Sequence, residues 1–277
     1  MGSLFELRGK IALVTGGGQG IGRACALALA AAGADVAIVD ISEESGAETV
    51  DLINGRGRIS MFFRCDVSDQ ASVDSMVEAV AHRFGRLDIA VNNAGIYRGD
   101  RDEDQSKEDW DQVIGINLTG TWLCARAEMR QMIRQDPSDG KIINVASIGA
   151  LIACSNGSYD SSKAGVVHLT RTLAARWGRY NINVNSISPG YVVRGMAGTI
   201  RASEERERLR QFTPLGHVMR LRDLHGPVVF LASSSSDYIT GQNIVVDGGH
   251  TLSSWQSPLD RDTAPRVAPA EELADGN

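Results

Sequence analysis

Residues 159–163 read YDSSK, inside the run SNGSYDSSKAGVVHLT. On a helix, a tyrosine and a lysine four apart stand one above the other on the same face. Taken alone, that spacing is as readily surface composition as chemistry. Chemically it offers a phenol with a free pKa of about 10 and an ammonium that favours the charged phenolate, the parts of a general base. Two other stretches belong beside it. TGGGQGIG (15–22) fits GxGxxG in no register, but it fits TGxxxGxG through Gly16, Gly20 and Gly22. Glycines there let the turn approach a pyrophosphate, which the N-terminus of the next helix attracts. Asp40 ends the second apolar run, where a carboxylate can accept from both hydroxyls of an adenosine ribose and repel a 2′-phosphate; it can equally cap the helix that starts at SEES. Arg23 is the basic residue nearest this turn. The balance favours NAD over NADP.

The elements that must hold these residues are legible as an alternation. Apolar runs at 10–16, 35–40, 59–66, 87–93, 141–147, 182–188 and 243–249 read as strands. Helical patterns fall between them at 20–34, from about 42 to 53, at 69–85, along one long stretch of 107–134, at 158–178 and near 222–233. Strands that are apolar without alternation are covered on both faces, which means a parallel sheet wrapped by helices. The predicted fold is α/β: a single-domain, Rossmann-type, doubly wound sheet of about seven strands, with its ligand crevice at the strand carboxyl ends. Residues 1–252 form that domain, and 190–216 are long enough to be a lid over the crevice. Residues 253–277 read as a Pro-rich polar tail that Trp255, Pro258 and Leu259 could anchor along a subunit.

Composition narrows the function classes. The net charge is −6 and no basic cluster is present, which argues against nucleic acid as a partner. No apolar run reaches the length of a membrane span, and the opening MGSLFELRGK lacks the apolar core of a signal peptide. Cys25, Cys65 and Cys124 lie in apolar stretches and read as buried reduced thiols; Cys154 lies in a loop-like stretch, lining a cavity or packing. The five histidines form no ligand pair four apart, so no metal site is expected. The expectation is a soluble cytoplasmic protein acting on a small molecule.

TGxxxGxG at 15–22, CDV at 65–67, NNAG at 92–95, Asn117 in INLTG, Ser147 in INVAS, YxxxK at 159–163, SPG at 188–190 and ITGQNIVVDGG at 239–249 occur in the order found in one family. The chain resembles the short-chain dehydrogenases/reductases over roughly residues 8–252. The resemblance implies a tetrad of Asn117, Ser147, Tyr159 and Lys163. Tyr159 would be the general acid/base, Lys163 with the positive nicotinamide of the oxidised cofactor would lower its pKa, Lys163 would also hold the nicotinamide ribose, Ser147 would hold the substrate oxygen, and Asn117 would anchor a water. It implies cofactor contacts from Gly16, Gln19, Gly20, Ile21, Gly22, Asp40 and Ile41, with Asp66 and Val67 at the adenine. Asn93, Ala94 and Gly95 would run beneath the cofactor, and Pro189, Gly190 and Val192 would back the nicotinamide. It also implies a homotetramer, or at least a homodimer, built on helices 107–134 and 158–178.

Two departures stand out. The stretch from Ser147 to Tyr159 is one residue shorter than in many members, which keeps Ser155 and Ser158 as poorer alternatives to Ser147. Arg194 stands where the family usually places a Thr that bonds the carboxamide, leaving that contact to another group or to backbone. Arg98 and Arg194 are then candidates for the substrate side, with Arg101 and His217 in segments that border the same crevice. The leading expectation is NAD-dependent hydride transfer to or from a secondary alcohol, a sugar, polyol or related hydroxy compound. A 3-oxoacyl thioester reductase is the alternative enzyme, and a non-catalytic dinucleotide-binding scaffold is the alternative of another class.

Overall fold

The computed structural model describes residues 4–99, 102–192, 194–195, 198–199 and 203–252. The tail 253–277 and Arg101 lie outside the described residues, as does the side chain of Arg194.

Strands β1 (Ile11–Thr15), β2 (Asp35–Asp40), β3 (Ser60–Arg64), β4 (Ile89–Asn92), β5 (Gly140–Val145) and β6 (Ile182–Pro189) form the sheet with the last strand, Asn243–Val246. The order is β3-β2-β1-β4-β5-β6 and then that last strand, and every pairing is parallel. The reversal between β1 and β4 opens the crevice at the carboxyl ends. A two-stranded antiparallel piece, β7 (Arg194–Gly195) with β8 (Gly198–Thr199), lies in the segment expected to be a lid, so the last sheet strand is β9.

Helices α1 (Gly20–Ala31), α2 (Glu43–Asn54), α3 (Gln70–Phe84), α4 (Lys107–Ile114), α5 (Thr121–Arg134), α6 (Gly157–Trp177), α7 (Ser203–Gln211) and α8 (His225–Ala232) complete the chain. Both sheet faces are dry. Val14, Ile38, Val91 and Ile143 pack against Cys25 and Leu29 of α1 and Val228 and Leu231 of α8. Leu13, Ala90, Ile142 and Val184 face the other way, onto Val77 of α3, Leu123 of α5 and Leu173 of α6. Neighbouring residues of one strand enter different cores, which explains why the strands show no alternation.

The structure corrects the reading in three places. The helix expected over 107–134 is interrupted at Gly115–Gly120 by a π-helical turn that contains Asn117. Gly120 ends that turn where a Cβ would lie 2.9 Å from Val67 Cγ2, a close approach that only glycine permits. Helix α7 was not expected, because SEERERLRQ carries almost no apolar face to reveal it. Strand β9 stops at Val246, since Gly248 and Gly249 take φ of +64° and +86° and turn the chain back.

Candidate active site

The glycine turn joins β1 to α1. Gly16 has φ +61°, and a Cβ there would lie 2.8 Å from Asn93 Nδ2. Gly22 faces the carbonyl of Gly16 so closely that any side chain would collide with it. The turn is held from β4: Asn93 Nδ2 donates to Thr15 O (3.0 Å) and Gly16 O (3.1 Å), and Thr15 Oγ1 accepts from the backbone of Asn93 and Ala94. The N-cap of α1, Gln19, makes no side-chain capping bond, and the first turn holds no acidic residue. Its N–H groups and positive end are therefore available to an anion, which is the fit a dinucleotide pyrophosphate requires.

Asp40 Oδ2 accepts from Gly18 N at 2.9 Å, and Oδ1 accepts from Ser42 N at 3.1 Å. The cap of α2 is Ser42 rather than Asp40. Arg23 is spent on the scaffold: Nε donates to Gly18 O and Thr49 Oγ1, both at 2.9 Å, and Nη2 pairs with Glu48 at 2.7 Å. Ile41 beside Asp40 is left 67% exposed. Asp66 is also exposed and its carboxylate holds Ser68, whereas Val67 is buried.

The tetrad residues meet at the carboxyl ends of β4 and β5. Asn156 caps α6 by accepting from Tyr159 N, and α6 carries Tyr159 and Lys163 on one face. The Ser147 hydroxyl, at the turn after β5, hydrogen-bonds Tyr159. Ser158 is instead buried between Gln105 and Asn156, and Ser155 is exposed, so the shortened loop still presents Ser147. Lys163 Nζ is buried and donates to Val145 O at 2.9 Å, leaving two hydrogens to give. Gly95 runs beside it: a Cβ there would lie 3.5 Å from Nζ. Asn117 works mainly as a clamp, with Oδ1 accepting from Ile96 N (2.8 Å) and Nδ2 donating to Ile96 O (2.9 Å) and Ser162 Oγ (3.1 Å). What it has left for a water is the second lone pair of Oδ1 and a carbonyl that already accepts from Thr121.

Among the protein's own groups, burial opposes the acidification of Tyr159 expected from Lys163 together with the oxidised nicotinamide. Burial pushes the phenol up to about 12; Ser147 opposes the rise, and Cys154 and Asp160 add to it. Burial pushes Lys163 down to about 8. With Nζ 5.8 Å from the ring centroid, desolvation of both groups outweighs their attraction.

A family model described as enoyl-(acyl carrier protein) reductase matches residues 16–251. The chain belongs to the short-chain dehydrogenase/reductase family. As an enzyme of this family it is an oxidoreductase acting on CH–OH groups. It is 40% identical over 250 residues to the 2-dehydro-3-deoxy-D-gluconate 5-dehydrogenase of Dickeya dadantii, covering 88% of this chain and 96% of the relative. It is 39% identical to the D-threitol dehydrogenase of Mycolicibacterium smegmatis, covering 90% and 95%. Its fold matches the crystal structure of a gluconate 5-dehydrogenase from Burkholderia cenocepacia in complex with NADP and tartrate, at TM-score 0.86 and 35% identity over 91% of this chain and 98% of that one.

On this dehydrogenase scaffold the substrate side is less legible. Arg98 is exposed, and its carbonyl ties the loop after β4 to α6 through Asn156 Nδ2 (2.6 Å). Pro189 ends β6 against β9, Gly190 N donates to Val246 O at 2.9 Å, and buried Val192 bridges to Met219. Sequence reasoning missed Thr15, which positions NNAG, and Asp160, whose Oδ2 accepts from Cys154 N and Ser155 N and so shapes the substrate loop. It also missed Tyr97, edge-on to Tyr159 with centroids 5.6 Å apart. Asn156 was findable, because an Asn three residues before Tyr159 has the N-cap spacing. The others are set by contacts between distant segments.

Proposed function

We propose that this enzyme is an NAD-dependent dehydrogenase of a secondary alcohol, a sugar, polyol or related hydroxy compound, with Tyr159 as its general acid/base. The observation that carries the reading is the convergence of Ser147, Tyr159 and Lys163 at the strand ends beside an uncapped α1 N-terminus. NAD+, once bound, would supply the hydride acceptor and, before the transfer, a positive ring charge beside the tyrosine. Ser147 holds the alcohol oxygen, Tyr159 takes the hydroxyl proton as the carbinol hydride departs, and Lys163 grips the ribose with its spare hydrogens. Gly16, Gln19, Gly20, Ile21 and Gly22 hold the pyrophosphate, Asp40 the adenosine ribose, and Ile41, Asp66 and Val67 border the adenine. Asn93, Ala94 and Gly95 run beneath the cofactor, and Pro189, Gly190 and Val192 back the nicotinamide.

NAD is favoured over NADP on this chain's own residues. Asp40 places a carboxylate at the glycine turn, and Arg23, the base best placed to meet a 2′-phosphate, is consumed by Gly18, Thr49 and Glu48. Relatives named for a sugar-acid and a tetritol dehydrogenase support the hydroxy-compound class. Formation of reduced nicotinamide, followed by absorbance across sugars, polyols and hydroxy acids with each cofactor, tests the reading. No turnover of any alcohol would sink it. The enzyme is proposed to act as a homotetramer, at least a dimer, through the α4–α5 and α6 faces.

A further inference from the structure

The thiol of Cys154, in the loop before Tyr159, is hydrogen-bonded by Tyr191, whose hydroxyl also lies 3.5 Å from the Cys154 carbonyl. Tyr191 immediately follows Gly190, so it stands where the chain leaves β6 at the catalytic end of the sheet. Its ring meets the imidazole of His250 edge to face, with centroids 5.2 Å apart and planes at 82°. Contacts therefore run from the Cys154 loop, whose backbone N–H donates to Asp160 next to Tyr159, through Tyr191 to His250.

His250 is held from two directions. Asp247 accepts from Gly249 N and Thr251 N, each at 2.8 Å, and so folds the chain after β9 back toward the crevice. Thr213 Oγ1, beyond the end of α7, lies 3.2 Å from His250 Nδ1. The Thr213 hydroxyl gives its one proton to Leu209 O at 2.7 Å, so toward His250 it can only accept. Nδ1 therefore carries the hydrogen, and in the neutral ring Nε2 keeps a lone pair. Burial lowers the imidazole's pKa, with Asp247 opposing, which favours the neutral ring.

We propose that Tyr191 and His250 form a substrate-selecting wall, in which His250 Nε2 accepts a hydrogen bond from a substrate hydroxyl remote from the reacting carbon. The inference rests on the dehydrogenase reading above and deepens it. A fixed lone pair accepts from a hydroxyl and repels a carboxylate, so the substrate end at this wall carries an alcohol. The class selected is a neutral polyol, in preference to a simple secondary alcohol or to a substrate with its carboxylate at that end.

The test compares a linear tetritol with butan-2-ol, each with NAD, in the full-length protein and two variants. His250→Asn keeps an amide hydrogen for Thr213 and lacks the Nε2 acceptor, whereas His250→Gln restores an acceptor at that reach. The tetritol-to-butanol ratio of kcat/KM is expected to fall roughly tenfold in His250→Asn, the worth of one hydrogen bond, with the loss in KM. His250→Gln recovers part of it. An unchanged ratio in a folded His250→Asn overturns the inference alone. Equal losses for both alcohols also overturn it, because they show a purely structural residue. If the unaltered protein oxidises neither alcohol nor any other, the dehydrogenase reading fails and takes this inference with it.

Discussion

At Tyr159 the two charged forms that the chemistry needs are both disfavoured by burial: the phenol stands at about 12 and the ammonium of Lys163 at about 8. The protein by itself therefore stores the proton on the tyrosine. Alcohol oxidation needs the phenolate and carbonyl reduction needs the phenol, so the two directions have opposite pH dependence. Oxidation is expected to accelerate from neutral pH into the alkaline range while reduction slows, as paired pH–rate profiles would show. Tyr159→Phe keeps the ring against Tyr97 and removes the proton carrier. Its kcat is expected to fall on the order of a hundredfold or more with NAD affinity retained, measured by turnover and by cofactor titration. Asp40→Ala is expected to weaken NAD binding and to relax discrimination against NADP, read as the ratio of kcat/KM for the two cofactors. Equal use of both cofactors by the unaltered enzyme would remove the basis of the NAD assignment.

Among the elements, α5 carries a feature unrelated to the crevice. Glu128 is wholly buried, and burial raises its pKa from 4.5 to about 8, opposed by the Asn92 hydrogen bond. Asn92 Nδ2 donates to Glu128 Oε2 (3.0 Å) and to Asn144 Oδ1 (3.1 Å), and Asn144 Nδ2 donates to Thr170 Oγ1 (3.0 Å). Among the described residues, Glu128 Oε1 and Asn92 Oδ1 are both buried without a hydrogen-bond partner, which disfavours a charged carboxylate there. The folded chain keeps the carboxyl proton between about 4.5 and about 8 while the unfolded chain has released it. The group's contribution is therefore full at acid pH and is lost as pH rises through that window. Glu128→Gln supplies an N–H in place of the titrating proton. Its Tm is expected to exceed that of the unaltered enzyme by several degrees around pH 9 and to match it around pH 5, which thermal melts at the two pH values would show. A constant difference at both would mean that Glu128 stays ionised.

For the whole molecule, the outer face of α4–α5 points to self-association. Trp110 and Trp122 are 38% and 40% exposed, and the Arg126 guanidinium stacks over Trp122 at 4.8 Å. Nε and Nη2 of Arg126 are shielded from solvent and make no hydrogen bond among the described residues. A cation so placed lacks an acceptor that a second copy of this face could bring, across a symmetric contact. Sedimentation at micromolar concentration is expected to show an assembly well above the 29.7 kDa of one chain, and Arg126→Glu to shift it toward smaller species. A single species of monomer mass in the unaltered enzyme would refute the proposed assembly.

Much of this was legible in one dimension, because some signals are local. Strand and helix periods, the glycine turn at 15–22, the Tyr159–Lys163 spacing and the ordered motifs pointed to the sheet, the family and the candidate residues for the chemistry. Tertiary contacts decided the rest. Nothing local to Tyr159 shows that its pKa rises rather than falls, since burial is a property of everything packed around it. Arg23 reads as a free cation until Gly18, Thr49 and Glu48 are folded against it. The turn at Asn117 reads as ordinary helix, because Val67, which stands where a Cβ on Gly120 would lie, is 53 positions away in the chain. The tautomer of His250 depends on a threonine that itself depends on a carbonyl one helical turn back. Residue type sets what a group can donate, accept or bind; only its neighbours in three dimensions set its charge and which of its bonds remain free.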